Sequence, residues 1–154
     1  MREGMYGIDF TTGADAGMGM FIFEGGRVFG ADRGTARYDG SYEIDAATKR
    51  VQLRLKVTFP PDVMTVFGLE YPFEWSVDCE AALDPLKDED QVLVSTSIGQ
   101  RLMAHYLFLR PLPGAPATTP FTRVYGPAPP RQTVGGGGVG GGGCGGGDLA
   151  ARTS

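Results

Sequence analysis

Residue types on which metal and catalytic sites depend are scarce in this chain of 154 residues. It contains one histidine, His105, and two cysteines, Cys79 and Cys144, which lie far apart. Zinc sites need several Cys or His ligands at short spacings, so none is expected. We interpret His105 as a packed or surface residue, because a catalytic base needs an ordered nucleophile and a third group that orients it.

Motifs of nucleophilic catalysis and nucleotide binding are also missing. No G-x-S-x-G segment occurs, which removes the commonest signature of a serine hydrolase. The C-terminal glycine run lacks the G-K-[ST] ending of a phosphate-binding loop. We therefore expect that the protein is not an enzyme and uses no metal or cofactor.

Basic residues are too few for a nucleic-acid-binding surface. The chain has 14 Lys and Arg against 18 Asp and Glu, with a net charge of −4. Binding to a phosphate backbone requires clustered Lys and Arg, so we expect no direct contact with nucleic acid. A basic protein partner is compatible with this charge.

Long apolar runs are missing as well. No segment approaches the roughly 18 apolar residues of a membrane helix, and the N-terminus MREGMYGIDF has no signal-peptide core. Cys79 falls on the inward phase of a predicted strand, and nothing holds Cys144 near it. These features predict a reduced, cytoplasmic protein with no membrane association.

The clearest positive signal is the segment Arg50–Phe59, RVQLRLKVTF. Apolar and polar residues alternate in it without a break, which predicts a strand with one buried and one solvated face. It is about twice as long as an average strand. Long strands with one wet face are typical of antiparallel sheets and small barrels.

Similar patterns separated by short turns predict seven further strands. They cover Met5–Phe10, Met18–Glu24, Arg27–Ala31, 35–44, Tyr71–Leu83, Gln91–Ile98 and Arg101–Leu109. Short turns favour pairing between sequence neighbours. We therefore predict an all-β fold, an eight-stranded antiparallel up-and-down barrel. The irregular segment Val63–Leu69 is either a helical turn or an apolar loop across a barrel end.

Composition divides the chain into three parts. Residues 1–112 form the predicted barrel domain, and residues 113–130 form a proline-rich segment that packs on the barrel or leaves it. Residues 131–154 are rich in glycine and cannot bury apolar surface, so we expect a disordered tail.

Two sets of residues are candidates for binding. Asp88, Glu89 and Asp90 form the densest acidic run, either a solvated turn or a patch that steers a basic partner. Four aromatic residues are candidates for the lining of the barrel interior: Tyr38, Tyr42, Phe73 and Trp75. The alternative for them is ordinary core packing.

Four motifs along the chain carry a family resemblance: MREGMYGIDFTT, GGRVFGAD, RYDGSYEID and VFGLEYPFEW. In this order they resemble the GrlR family, small bacterial negative regulators of type III secretion. The resemblance covers about residues 1–110. It implies a lipocalin-like barrel, a homodimer and repression by sequestering a helix-turn-helix transcriptional activator. It gives Asp88–Asp90 no role, because the acidic turn of the family lies before the long strand.

Two functions follow from these observations. The first is a non-enzymatic regulatory protein that acts by protein–protein binding, which the resemblance and the missing catalytic motifs favour. The alternative is a carrier that binds a small apolar ligand in the barrel, as barrels of this size can.

Overall fold

The computed structural model describes residues 1–114, which form a closed barrel of eight antiparallel strands. The strands are β1 (Gly4–Thr11), β2 (Ala16–Glu24), β3 (Arg27–Asp32), β4 (Arg37–Ile44), β5 (Val51–Phe59), β6 (Trp75–Leu83), β7 (Glu89–Thr96) and β8 (Arg101–Arg110). Each strand pairs with its neighbours in sequence, and β1 pairs with β8 to close the barrel. The predicted eight-stranded up-and-down barrel is confirmed.

The alternation in β5 sets the inside and outside of the barrel. Val51, Leu53, Leu55, Val57 and Phe59 are all buried, and the residues between them are not. Residues paired across antiparallel strands point to the same face. The register partners of these inward residues on β4 and β6 therefore also point inward, and the same holds from strand to strand around the barrel. The core contains side chains from all eight strands.

Glycines permit close contact between strands at two inward positions. A Cβ on Gly40 of β4 would lie 2.0 Å from the carbonyl oxygen of Arg54, and one on Gly30 of β3 would lie 1.9 Å from that of Met20. Neither position has room for a side chain. Glycine is therefore required at both positions if the strands are to keep this separation.

The sixth strand is shorter than the sequence predicts, beginning at Trp75 rather than Tyr71. Pro72 has no N–H to donate, so it cannot contribute a backbone hydrogen bond to a strand that would begin at Tyr71. Val63–Leu69 contains no helix and is a loop, in which the Thr65 N–H and hydroxyl both bond to the Leu69 carbonyl.

The join between β6 and β7 is the least complete. These strands pair at only two positions, Cys79 with Thr96 and Glu80 with Ser95. Every other neighbouring pair extends over at least five positions.

No helix among residues 1–114 is long and apolar enough to cross a membrane. The predictions for the proline-rich segment and the glycine-rich tail fall outside the described residues, apart from the first two residues of the former.

Candidate functional site: an internal cavity and an outer apolar face

The barrel contains a cavity of about 730 Å³. Inward apolar side chains from several strands form its wall, among them Phe21, Leu53, Leu55, Val57, Val92 and Leu102. The exposed residues Asp15, Met18, Arg33 and Met64 also line it, so it reaches the surface where β2 begins and β3 ends. Its volume lies within the ~300–1,000 Å³ of typical small-molecule sites.

A hydrogen-bonded pair forms one polar part of the cavity wall. The Tyr38 hydroxyl donates to Asp32 Oδ2 at 2.6 Å, and Asp32 Oδ1 accepts from the Ala36 N–H at 2.9 Å. Burial, and then the bond to Asp32, raise the pKa of Tyr38 above its ordinary value. Both side chains are therefore already engaged by protein groups.

Tyr106 on β8 provides a second polar group, and this one is unsatisfied. The residue is 4% exposed and lines the cavity. Within the part of the chain that the structure describes, its buried hydroxyl has no hydrogen-bond partner. Burial, followed by the nearby carboxylate of Asp90, raises the pKa of Tyr106 to about 12. The phenol is neutral at physiological pH and can donate one hydrogen bond.

The thiol of Cys79 on β6 also lines the cavity. The residue is buried, as its inward phase in the sequence predicts, and it has no disulfide partner within residues 1–114. Burial raises the pKa of this thiol to about 11, so it is protonated and unreactive at neutral pH.

Three of the four aromatic candidates lie outside the cavity wall. Tyr38 lines the cavity, whereas Tyr42 packs on Phe23 with ring centroids 5.1 Å apart. Trp75 stacks at 4.7 Å on Phe59. Phe73 is 57% exposed and precedes β6, which corrects the expectation that it lies inside the barrel.

The acidic run is not a patch of free carboxylates. Arg2 Nε donates to Asp88 Oδ1 at 3.0 Å, and a second guanidinium nitrogen contacts Asp88 Oδ2. The same guanidinium lies 3.8 Å from the centre of the Phe108 ring. Asp88 therefore helps to fasten the N-terminal residues across the end of the barrel.

The other two acids of the run are also paired. Glu89 lies 2.9 Å from His105 Nε2, and Asp90 accepts from Lys87 at 2.9 Å. The bond from Lys87 lowers the pKa of Asp90. Each of the three carboxylates thus has a hydrogen-bond partner, and basic side chains pair with Asp88 and Asp90. The acidic run in the sequence did not reveal this, because Arg2 and His105 lie elsewhere in the chain.

No group of three or more potential metal ligands occurs within residues 1–114.

An apolar surface covers the outside of β1, β2, β3 and β8. Register places its members on neighbouring strands with their side chains outward. Three of them are about half exposed, Met18 at 54%, Met20 at 49% and Leu109 at 48%. We call this surface the outer apolar face: Met5, Met18, Met20, Ile22, Phe29, Leu107 and Leu109.

The opposite side of the barrel differs in character. Outward residues of β4, β5 and β6 are mostly charged and form ion pairs across strands. Arg54 contacts Glu43 at 3.1 Å and Glu80 at 3.7 Å. Other exposed apolar side chains, among them Ile44, Phe73 and Leu93, lie elsewhere on the barrel. The period-two pattern of β2 could have indicated the outer apolar face, since Met18, Met20 and Ile22 share the outward phase.

Comparison with family models and with curated proteins finds no match for this chain.

Proposed function

We propose that this chain is a non-enzymatic, cytoplasmic regulatory protein that acts by protein–protein binding. The observation that carries the proposal is the outer apolar face. Soluble monomeric proteins rarely expose large contiguous apolar surfaces, and such surfaces usually mark interaction sites. A supporting argument is the resemblance to GrlR-type negative regulators.

The occupant we propose for the outer apolar face is a second copy of the chain. Four neighbouring strands at ~4.8 Å spacing make the face about 15 Å wide, before its side chains are counted. The seven members of the face are uncharged, and the outward residue Asp9, the register partner of Met18, adds one carboxylate beside them, 3.7 Å from His105 Nδ1. Three of the members are methionines, Met5, Met18 and Met20. Their flexible side chains can rearrange to pack against the same surface of a second copy.

The resemblance supplies the regulatory part of the proposal, repression of type III secretion genes through a transcriptional activator. Recognition of that activator by free carboxylates of Asp88–Asp90 is not favoured, because each carboxylate already has a partner.

A reporter experiment tests the regulatory proposal. A type III secretion promoter that drives a fluorescent protein is placed in a bacterial host with its activator, and this chain is expressed beside it. We expect wild-type protein to lower the fluorescence several-fold. A variant with Met20→Lys and Leu109→Lys should lower it less, and Ser76→Lys on the charged side is the matched control. Unchanged fluorescence with wild-type protein would reject the regulatory role.

The cavity favours a second candidate function, binding of a small apolar ligand. Its size and apolar wall suit such a molecule. Trp75 reports on this cavity, because it stacks on Phe59, which lines the wall. We expect apolar ligands to change Trp75 fluorescence in a saturable way. A linear, unsaturable response would argue against a ligand site.

A further inference from the structure

The unsatisfied hydroxyl of Tyr106 specifies what the cavity would bind. We propose that the ligand is neutral and chiefly apolar and carries one hydrogen-bond acceptor, such as a ketone, ester or ether oxygen, which accepts from the Tyr106 hydroxyl. This inference rests on the ligand-binding function proposed above and adds the chemical class of the ligand. A buried polar group without a partner is uncommon in folded proteins, and ligand binding is one reason to keep it.

The protein groups nearest to Tyr106 do not satisfy this hydroxyl. Its register partner on β7 is Asp90, which also faces inward. The Asp90 carboxylate instead accepts from Lys87 Nζ at 2.9 Å and from the Gln91 N–H at 3.0 Å. The register partner on β1 is Ile8, which has no polar side-chain atom. The donor of Tyr106 is therefore available to a bound molecule.

The charges around Tyr106 favour a neutral ligand over an anion. Asp90, Asp84 and Asp88 all raise the pKa of the phenol, and Arg50 is the only basic residue that lowers it. An ionised carboxylate beside this hydroxyl would meet net negative charge in a poorly solvated site. The basic residues of the cavity wall within residues 1–114 are Arg33 and His105. Arg33 is exposed and follows β3 at the opposite end of the barrel, and His105 Nε2 lies 2.9 Å from the carboxylate of Glu89.

Apolar side chains would receive the rest of the ligand. Val92 and Ala104 lie beside Tyr106 in the inward phase, and Leu55 and Val57 extend the wall toward the other end of the barrel. A hydrocarbon ligand with one hydrogen-bond acceptor therefore matches this cavity, which offers the free donor of Tyr106 and an apolar wall. A ligand with several polar groups would leave most of them unpaired.

The test compares three ligands of equal chain length: 2-tridecanone, tridecane and tridecanoate. Their affinities for the full chain are measured by displacement of an apolar fluorescent probe. We expect the wild type to bind the ketone about tenfold more tightly than the alkane, a difference of about 1.4 kcal/mol. Tridecanoate should bind more weakly than the ketone.

Tyr106→Phe should remove the ketone preference and keep the affinity for the alkane. Tyr42→Phe is the matched control, because Tyr42 lies outside the cavity wall, and it should keep the preference. A tenfold ketone preference that survives Tyr106→Phe would overturn the inference, as would equal binding of ketone and alkane by the wild type or tightest binding of the carboxylate. Failure of all three ligands to bind would reject the carrier function itself.

Discussion

The guanidinium of Arg2 contacts the carboxylate of Asp88 through two nitrogens while its carbon lies 3.8 Å from the centre of the Phe108 ring. Both charged side chains are about one-third exposed or less, at 34% and 26%. The Arg2 carbonyl also accepts from the buried Tyr6 hydroxyl at 2.7 Å. One residue near the N-terminus thus connects β1, β8 and the start of β7.

Arg2→Ala should lower the free energy of unfolding by about 1–2 kcal/mol, because it removes a bidentate ion pair with Asp88 and a cation–π contact with Phe108. Urea denaturation measures this change. Arg37→Ala is the control, since its pair with Glu74 is well exposed, and its effect should stay within about 0.5 kcal/mol. Equal effects of the two substitutions would show that the contacts of Arg2 stabilise the fold no more than the exposed ion pair of Arg37 does.

Tyr106→Phe should raise the free energy of unfolding of the ligand-free protein by about 1 kcal/mol. The substitution removes a buried hydroxyl that has no partner in residues 1–114 and keeps the ring in place. Tyr38→Phe should act in the opposite direction, because that hydroxyl donates to Asp32. A loss of stability in Tyr106→Phe would mean that its hydroxyl is bonded in solution.

Gly40→Ala should destabilise the barrel by more than 2 kcal/mol, on the order of an overpacked core, and could prevent folding. The added Cβ would lie 2.0 Å from a backbone oxygen of β5, which cannot move alone. Gly7→Ala is the matched strand control, since its Cβ would first meet Leu109 at an ordinary 3.6 Å. Circular dichroism and urea midpoints compare the two variants, and a Gly40→Ala protein as stable as Gly7→Ala would contradict the packing described.

Alkaline pH should weaken the fold through Cys79. Its pKa is raised from 9.0 to about 11 by burial, so the unfolded chain loses this proton first. The stabilising contribution is complete below the ordinary pKa and is lost as pH rises through about 11, with a size of about 3 kcal/mol.

Urea midpoints across this pH range measure the effect, and Cys79→Ala provides the comparison. The variant should show a shallower alkaline decline than the wild type. Buried Tyr106, whose pKa is about 12, contributes a further decline in both proteins at higher pH. Identical profiles for the two proteins would show that the Cys79 thiol is solvated.

The sequence predicted the barrel well because its strands are locally encoded. The alternation of Val51 through Phe59 predicts β5, and the short turns between most of the other strands favour pairing between sequence neighbours. The start of β6 was misplaced because Tyr71 and Phe73 continue the inward phase of Trp75 but precede the strand. Those rings stack on each other at 5.3 Å instead of entering the core.

The candidate site was less predictable because it depends on contacts between distant segments. Pairing of Asp88 with Arg2 cannot be inferred from the local charge run. Whether inward side chains fill a barrel or leave a cavity depends on its curvature and on small residues such as Gly30, Gly40 and Ala81, and no single strand determines it. The sequence also does not show that the Tyr106 hydroxyl lacks a partner within residues 1–114, because that depends on contacts between strands.

The most direct test of protein–protein binding through the outer apolar face is sedimentation velocity of the full chain over a range of concentrations. We predict a dimer of twice 16.3 kDa for the wild type and for Ser76→Lys on the charged side. Met20→Lys should sediment as a monomer with unchanged circular dichroism, because a buried unpaired ammonium group opposes association. A wild-type protein that stays monomeric at every concentration, or a Met20→Lys dimer as stable as the wild type, would contradict the account.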